Sequence, residues 1–578
     1  MITNIKKVYS ILDRKGKIGI GFIGLILILI AILETIGVAL VFPLLSVIFE
    51  NSTANEYIMN FFQSNFSITD KDHILKILLG LFCITVISKN IILVFSVWAK
   101  QHFILRLQGK LSKNLLEVYL DKPMSYHTNV NSSVLVRNLI SEIKILVKSF
   151  ILSLINIFSE IVFLFTILIL LSINDYKVSI ILASILLLIS FSILIFHKRR
   201  LGQLGEIRLK NTTSIFKILK ESFDSVKEIK TRFLKDNIIN NYFKFFMRAG
   251  KMGNLASVYG SLPRSIFEII VVLCLTFFLL FNIRDDSDIT KHLPTIIFYM
   301  AAVYRIIPSS NRMINNIQSI RYSEPSFKKV DDDLIKYESE KLKKEGDLNQ
   351  KINFKNEINF ENVSFEYEIN KKILNSVSFK IKENSLVLIS GSSGSGKSTL
   401  LDIILGLSKK SSGTIKVDNA EYDPFQNFEQ WVKNISYVPQ TIYIYDDSIE
   451  KNITLLDDKK LINYDLLEKA IRIAKLGDFI NDKREGLKTF LGELGERVSG
   501  GQRQRIGIAR GVYGDAKILI FDESTNALDA NTEKEILINL DKLKSDKTII
   551  FASHSTKILK ELSDQIFNIK NGNVEINK

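Results

Sequence analysis

Cysteine is nearly missing from this chain: only Cys83 and Cys274 occur in 578 residues, both inside apolar runs. No CxxC or Cys/His spacing is present, which excludes a disulfide framework and a zinc site. Internal repeats and long low-complexity tracts are absent as well. The net charge of +15 comes without an aromatic-plus-basic RNA motif or a DNA-reading module, so nucleic acid is excluded as the partner behind it. A secretory leader is also not expected. Residues 1–17 are basic, but the apolar stretch after them is far longer than a leader's core, and it reads as a retained membrane helix.

What is there is sharply segregated. Hydrophobic residues make up 47% of the chain beside 24% charged residues, a mixture that needs an apolar half and a charged half. Crossing about 30 Å of hydrocarbon takes roughly 20 apolar residues. Such stretches recur near 18–48, 74–98, 148–173, 177–197, 262–283 and 293–320. Several are longer than a bilayer needs, which predicts helices projecting into water. Lys6, Lys7, Arg14, Lys15 and Lys17 precede the first stretch, and the loops 99–147 and 198–261 are dense in lysine and arginine. The segments 49–73 and 284–292 lean acidic. The positive-inside rule then gives a multi-pass protein of six spans with both termini and both long loops cytoplasmic.

The expected organisation is a helical transmembrane domain over 1–324, a polar cytoplasmic stalk over 325–352 and an α/β P-loop domain over 353–578. In that last part the pattern shifts to short strand-like runs (INFENVSFEY, VSFKI, SLVLIS, ISYVPQ, KILIFDE, KTIIFAS) alternating with helical ones, which predicts a mainly parallel sheet.

Chemistry concentrates there. Gly391, Ser392, Ser393, Gly394, Ser395, Gly396, Lys397, Ser398 and Thr399 spell GSSGSGKST between a strand and a helix start. This is the context of a phosphate-cradling loop: glycines curl the backbone so that N–H groups face phosphate, and the lysine reaches the β- and γ-phosphates. The Ser398 hydroxyl is a candidate Mg²⁺ ligand. ILIFDE ends an apolar strand in Asp522, a candidate for the Mg²⁺ shell, and Glu523, a candidate general base for the attacking water. ATP and Mg²⁺ are the implied cofactors.

VSGGQ, which no ordinary P-loop ATPase carries, completes the pattern. The block order resembles the nucleotide-binding domain of ABC transporters over about 353–578. That resemblance makes Tyr367 the adenine-stacking aromatic and Gln440 the glutamine that touches Mg²⁺ and the membrane domain. It makes Ser499, Gly500, Gly501 and Gln502 the signature that grips an ATP held by the opposite subunit. Asp529 falls in the D-loop, His554 is similar to the switch histidine, and Gly492 and Glu493 lie in a stretch similar to the exporter X-loop. Val498 replaces the usual leucine and Asn526 the usual serine, and neither change removes a phosphate ligand. With one phosphate loop and one signature per chain, the resemblance implies a homodimer with twelve spans.

The cargo must be read from the membrane half. Charged residues within spans cost roughly 2.5–3.5 kcal/mol on insertion scales and face a cavity or a partner. Lys89, Arg264, Arg305 and Arg312 are such residues, with Glu34, Glu160 and Glu268 as acids. Arg264 and Glu268 stand at i and i+4, the spacing of a helical ion pair. Arg305 lies too deep to snorkel and is expected to face a cavity, where a ladder of cations suits a diphosphate. ETIGVALVFPLL, SLPRSIFE and VYRIIPSSNR resemble the membrane domain of the PglK family, the lipid-linked oligosaccharide flippases of bacterial N-glycosylation. The resemblance implies an inner-membrane flippase for a polyprenyl-diphosphate glycolipid, with Lys89, Arg264, Arg305 and Arg312 on the diphosphate. The family has an arginine at the Lys89 position. Residues 55–66 resemble its short external helix at the outer membrane surface; an ordinary amphipathic loop helix is the alternative. A lipid A or multidrug exporter remains open. An exporter-protease is not expected, because no peptidase segment fits ahead of Ile18.

Overall fold

The computed structural model describes residues 13–49, 53–174, 176–282, 289–344, 354–366, 372–554 and 557–577. The chain divides into two compact units, one of residues 1–122 with 127–340, the other of 123–126 with 341–578.

The first unit is helical. Its main helices are α1 (Arg14–Ala39), α2 (Val41–Phe49), α3 (Thr53–Phe66), α4 (Lys71–Leu120), α5 (Leu152–Asn174), α6 (Tyr176–Asp224), α7 (Lys235–Asn282) and α8 (Ile289–Lys344). Among the described residues, the stretches Arg14–Phe49, Lys71–Leu120 and Ser132–Ile173 are long and apolar enough to cross a membrane. The remaining apolar stretches, 177–197, 262–283 and 293–320, fall on α6, α7 and α8, and parts of them lie outside the described residues. Helices α4, α6, α7 and α8 run to about 50 residues each, roughly 75 Å at 1.5 Å per residue. That is more than twice the hydrocarbon thickness, so the basic "loops" of the sequence are the helices' own extensions. Residues 325–344, read from sequence as the start of a polar stalk, continue α8 without a break.

A buried polar cluster ties these extensions together. Glu142 is fully buried, and its Oε2 accepts from Arg208 Nη2 at 3.0 Å and from the Ser326 hydroxyl at 2.5 Å. Arg208 also donates to Ser326 at 2.8 Å. Nearby, Asn138 donates to the Tyr119 hydroxyl, which donates to Asp333, both at 2.8 Å. Two wide π-helical turns, Asn138–Glu142 and Leu146–Ile151, flank the cluster. Segments from α4, the 132–151 region, α6 and α8 are thereby joined by charge-assisted bonds.

The second unit holds two sheets. The larger has the order β10-β9-β3-β8-β7-β6, built from β3 (Leu386–Gly391), β6 (Ile435–Val438), β7 (Ile518–Asp522), β8 (Thr548–Ala552), β9 (Gln565–Lys570) and β10 (Asn573–Ile576). It is parallel apart from the β9–β10 hairpin. The smaller sheet is antiparallel, β2-β1-β4-β5, with β1 (Glu357–Glu366), β2 (Lys372–Lys382), β4 (Ser412–Val417) and β5 (Ala420–Glu421). Burial explains the division. Every residue of β7 and β8 is buried, which suits a sheet covered on both faces. In β1, Ile358 and Phe360 are buried while Asn359 and Glu361 are not, the alternation of a one-faced antiparallel strand.

Glu142→Ala would leave Arg208 buried without its carboxylate, which costs about 3–5 kcal/mol when one partner of a buried pair is removed. The expected outcome is a clearly lowered unfolding temperature of the solubilised protein. An unchanged temperature would show that the cluster does not hold the helix extensions.

Candidate functional site: a phosphate cradle and a carboxylate cage

The cradle forms where β3 turns into α9 (Lys397–Ile404). Gly391 ends the strand so close to β9 that a Cβ would lie 2.5 Å from the Ile569 carbonyl oxygen. Gly396 sits at φ +110° just before the helix, a conformation that favours glycine. The turn thus delivers Lys397 at the helix start, 6% exposed. Its Nζ donates to the carbonyls of Gly391 (2.8 Å) and Ser392 (3.1 Å) and lies 4.0 Å from Glu523 Oε1. The ammonium is already poised inside the loop. Ser392, Ser393, Gly394 and Ser398 are exposed, whereas Ser395 and Thr399 are buried.

Strand β7 brings the acids. Asp522 is buried, and burial foremost, then the neighbouring Glu523 charge, hold its carboxyl above the usual carboxylate range. Tyr437 on β6 donates to Asp522 at 3.3 Å. Asp402 on α9 is pushed up to about 6 by burial and by Asp522. Crowded carboxyls beside an exposed Ser398 hydroxyl are a donor set that fits a divalent cation. Asp522, Ser398 and Gln440 are the residues that would hold Mg²⁺, which would screen phosphate charge.

Glu523 follows the strand at φ +45°, in the left-handed region, with its N–H donating to Ala552 on β8 at 2.8 Å. Four segments converge on its carboxylate. Oε2 accepts from Gln440 Nε2 (2.8 Å) and Asn526 Nδ2 (3.2 Å), while Oε1 lies 3.4 Å from His554 Nε2 and faces Lys397. A side chain on strained backbone keeps one orientation only when its neighbours over-determine it, and here they do.

The signature residues form a second group. Ser499 caps α10 (Gly500–Tyr513): its hydroxyl accepts from the Gln502 N–H at 3.2 Å, and its own N–H donates to Gln502 Oε1 at 2.9 Å. Gln504 Oε1 accepts from the Ala527 N–H at 2.7 Å, and a Cβ on Gly501 would lie 3.0 Å from the Ala527 carbonyl oxygen. Asp529 caps α11 (Ala530–Asp541) by accepting from Thr532 at 2.9 Å. Gly500 packs near Ala527 too. Gly492 and Glu493 lie in the turn ahead of α10. Tyr367 falls outside the described residues.

The profile of the ABC transporter family matches residues 374–526, the stretch that carries the cradle, both acids and the signature. The C-terminal unit is an ABC-type ATPase domain. The chain is 33% identical over 317 residues to a probable ABC transporter ATP-binding/permease protein of Haemophilus influenzae, covering 54% of each chain. It is 34% identical to an ATP-dependent lipid A-core flippase of Aliivibrio fischeri over 41% of this chain and 40% of that protein. It therefore spans about half the length, or less, of these curated relatives. A solved structure of a bacterial Atm1-family ABC exporter with ATP bound superposes with a TM-score of 0.76 at 17% identity, over 97% of this chain and 94% of the other. The fold is that of ABC exporters, a helical transmembrane domain joined to an α/β ATPase domain.

Beyond the ABC domain, the four membrane cations separate. Lys89, 8% exposed, and Arg305 line one cavity of about 570 Å³ between α1, α4 and α8, with Glu34, Thr85 and Tyr304. Arg305 Nη1 is 2.8 Å from Glu34 Oε1. Arg305 thus lines the cavity and also holds a carboxylate partner. Arg312 forms a two-pronged pair with Glu160 at 2.6 and 3.1 Å, and the Ser309 hydroxyl donates to the same carboxylate at 2.5 Å. Arg264 pairs with Glu268 at 2.8 Å on an exposed face of α7, outside the cavity's lining. Lys89 alone of the four has no hydrogen-bond or ion-pair partner among the described residues. Residues 55–66 lie on α3, whose Tyr57, Phe61 and Phe66 are exposed.

Sequence reasoning did not find Tyr437, Asp402 or the Asn526 contact: Tyr437 and Asp402 depend on Asp522, 85 and 120 residues away, and the Asn526 contact on a side-chain rotamer; only the D-loop departure at Asn526 gave a signal.

Glu523→Gln is expected to retain ATP binding and to lower turnover roughly 10²–10⁴-fold, the range for loss of a general base. Asn526→Asp, nearly the same shape, puts an acceptor where Glu523 now receives a donor and is expected to lower kcat about tenfold or more. Turnover and nucleotide affinity measured on the same preparations check both. Wild-type turnover in Glu523→Gln would remove this residue as the base.

Proposed function

We propose that the chain is an ATP-driven flippase that moves a polyprenyl-diphosphate-linked oligosaccharide across the bacterial inner membrane. It works as a homodimer, each ATP held between the cradle of one protomer (Gly391 to Thr399, with Tyr367 on adenine) and Ser499, Gly500, Gly501 and Gln502 of the other. Asp529 steadies that interface. Ser398, Gln440 and Asp522 would hold Mg²⁺, which would screen phosphate charge; Glu523 orients the water, and His554 senses the γ-phosphate. The ABC domain and both termini are cytoplasmic.

The observation that carries the cargo reading is the cavity. Two cations, Lys89 and Arg305, face one carboxylate, Glu34, which leaves an excess positive charge inside mostly apolar walls. Such a place favours an anionic head group on a greasy carrier over an uncharged drug. Arg312 and Arg264, each paired with an acid, extend the basic series at other levels. Lipid A, also a phosphorylated glycolipid, fits about equally on one observation: the Aliivibrio relative is named a lipid A-core flippase.

The test is transbilayer movement in liposomes alongside basal ATPase on the same preparation. A charge-assisted contact is worth roughly 1.5–3 kcal/mol, about 10- to 100-fold in affinity. Lys89→Ala and Arg305→Ala are each expected to depress glycolipid flipping by about that factor while basal ATPase persists. Arg305→Lys should rescue in part, because charge survives without the planar fork. Arg264→Ala, which breaks an exposed pair, should leave flipping close to wild type. Unchanged flipping in both cavity variants would overturn the anionic-cargo reading. Movement of lipid A but not of the polyprenyl-diphosphate lipid would select the second reading.

A further inference from the structure

The last long helix, α8, carries three amides that nothing described so far uses. Asn311, Asn315 and Gln318 are spaced by four and three residues, which sets them on one helical face. Gln318 is only 4% exposed. The side-chain oxygens of Asn311 and Asn315 and both amide atoms of Gln318 are buried with no hydrogen-bond partner. Native interiors rarely leave such groups unpaired, so several in one row call for a missing partner. The row faces α7 at Gly260, where an added Cβ would lie 3.4 Å from Asn315 Oδ1 and 3.8 Å from Gln318 Oε1. A glycine at this point lets the α7 backbone come close to the amides without a side chain to cover them.

We infer that this row is a hydroxyl-binding track that receives sugar residues of the cargo next to its diphosphate. The inference rests on the flippase reading above. Its chemistry follows from the amide group, which offers a donor pair and an acceptor side by side, the complement of neighbouring sugar hydroxyls. The row itself is uncharged, and Arg312, which stands within it in sequence, is held by Glu160. The track therefore suits a neutral polar ligand and not a second phosphate. Its position also fits. Asn311 and Gln318 stand 6 and 13 residues beyond Arg305, about 9 and 20 Å along the helix at 1.5 Å per residue. A lipid whose diphosphate meets Lys89 and Arg305 has its first sugars at that level.

The experiment compares two probes on the full chain in liposomes: polyprenyl diphosphate carrying an oligosaccharide, and the same polyprenyl diphosphate without sugar. The reading is the concentration of each that half-maximally stimulates ATPase, together with the unfolding temperature. The wild-type chain is expected to respond to the glycosylated lipid at about tenfold lower concentration, the effect of one or two net hydrogen bonds. Gln318→Leu is expected to erase that advantage and to leave the response to bare lipid unchanged. Asn315→Ala, a smaller change, should halve the advantage or more, and it keeps the comparison available where the leucine variant fails to assemble. Equal half-saturation of the wild type by both lipids overturns the inference, since the track then holds only water. So does an equal weakening of both lipids with an altered unfolding temperature, which identifies the amides as contacts between helices. Either result leaves the flippase reading intact. A wild-type chain stimulated by neither lipid overturns that reading, and the inference with it.

Discussion

One carboxylate organises the ATPase domain. Glu523 sits on strained backbone at the end of β7, and three segments distant from it in sequence converge on it through the cradle lysine, Gln440 and His554, beside its near neighbour Asn526. Only the parallel sheet can bring them together. β3, β8, β7 and β6 are adjacent in the sheet, so the chain segments that leave their C-terminal edges open onto the same place, as ligand sites do in open α/β sheets. Moving any one strand out of order would separate Glu523 from the lysine, from His554 or from Gln440. The geometry of the site is thus a consequence of strand order more than of local motif.

In the membrane half the comparable constraint is the cost of charge. Three of the four span cations sit within hydrogen-bonding distance of a carboxylate, as expected where an unpaired charge is expensive. Among the described residues Lys89 departs from the rule, buried in a cavity without an acid of its own. An uncompensated buried cation persists where a ligand or water shares the space, which is the physical reason the cavity carries more weight than the paired arginines.

Much of this was legible in the sequence, and for physical reasons. The cradle, the two acids and the signature are tied to backbone shapes that few residues can make, so GSSGSGKST, ILIFDE and VSGGQ announce themselves. Strand runs such as ILIFDE and KTIIFAS were readable because both faces are buried. The antiparallel sheet was not foreseen as a separate layer: pairing of β1 with β4, some 50 residues on, leaves no mark beyond alternation. The reach of the helices into water was expected from their excess apolar length, but not that residues 325–344 extend α8, since a polar helix and a polar linker have similar composition. Pairing of Arg305 with Glu34 spans some 270 residues, and depth in the membrane gave no hint of it.

The D-loop gives the two functional groups of the ABC domain a shared hinge. Asn526 donates to Glu523, and the next residue, Ala527, donates to Gln504 on the signature helix. Two consecutive residues therefore touch the Glu523 carboxylate on one side and the helix capped by Ser499 on the other. A displacement of that helix acts directly on the amide that holds Glu523. No longer path is needed. The asparagine makes this link tighter than a shorter hydroxyl side chain would, because its amide reaches Oε2 while its backbone stays in the turn.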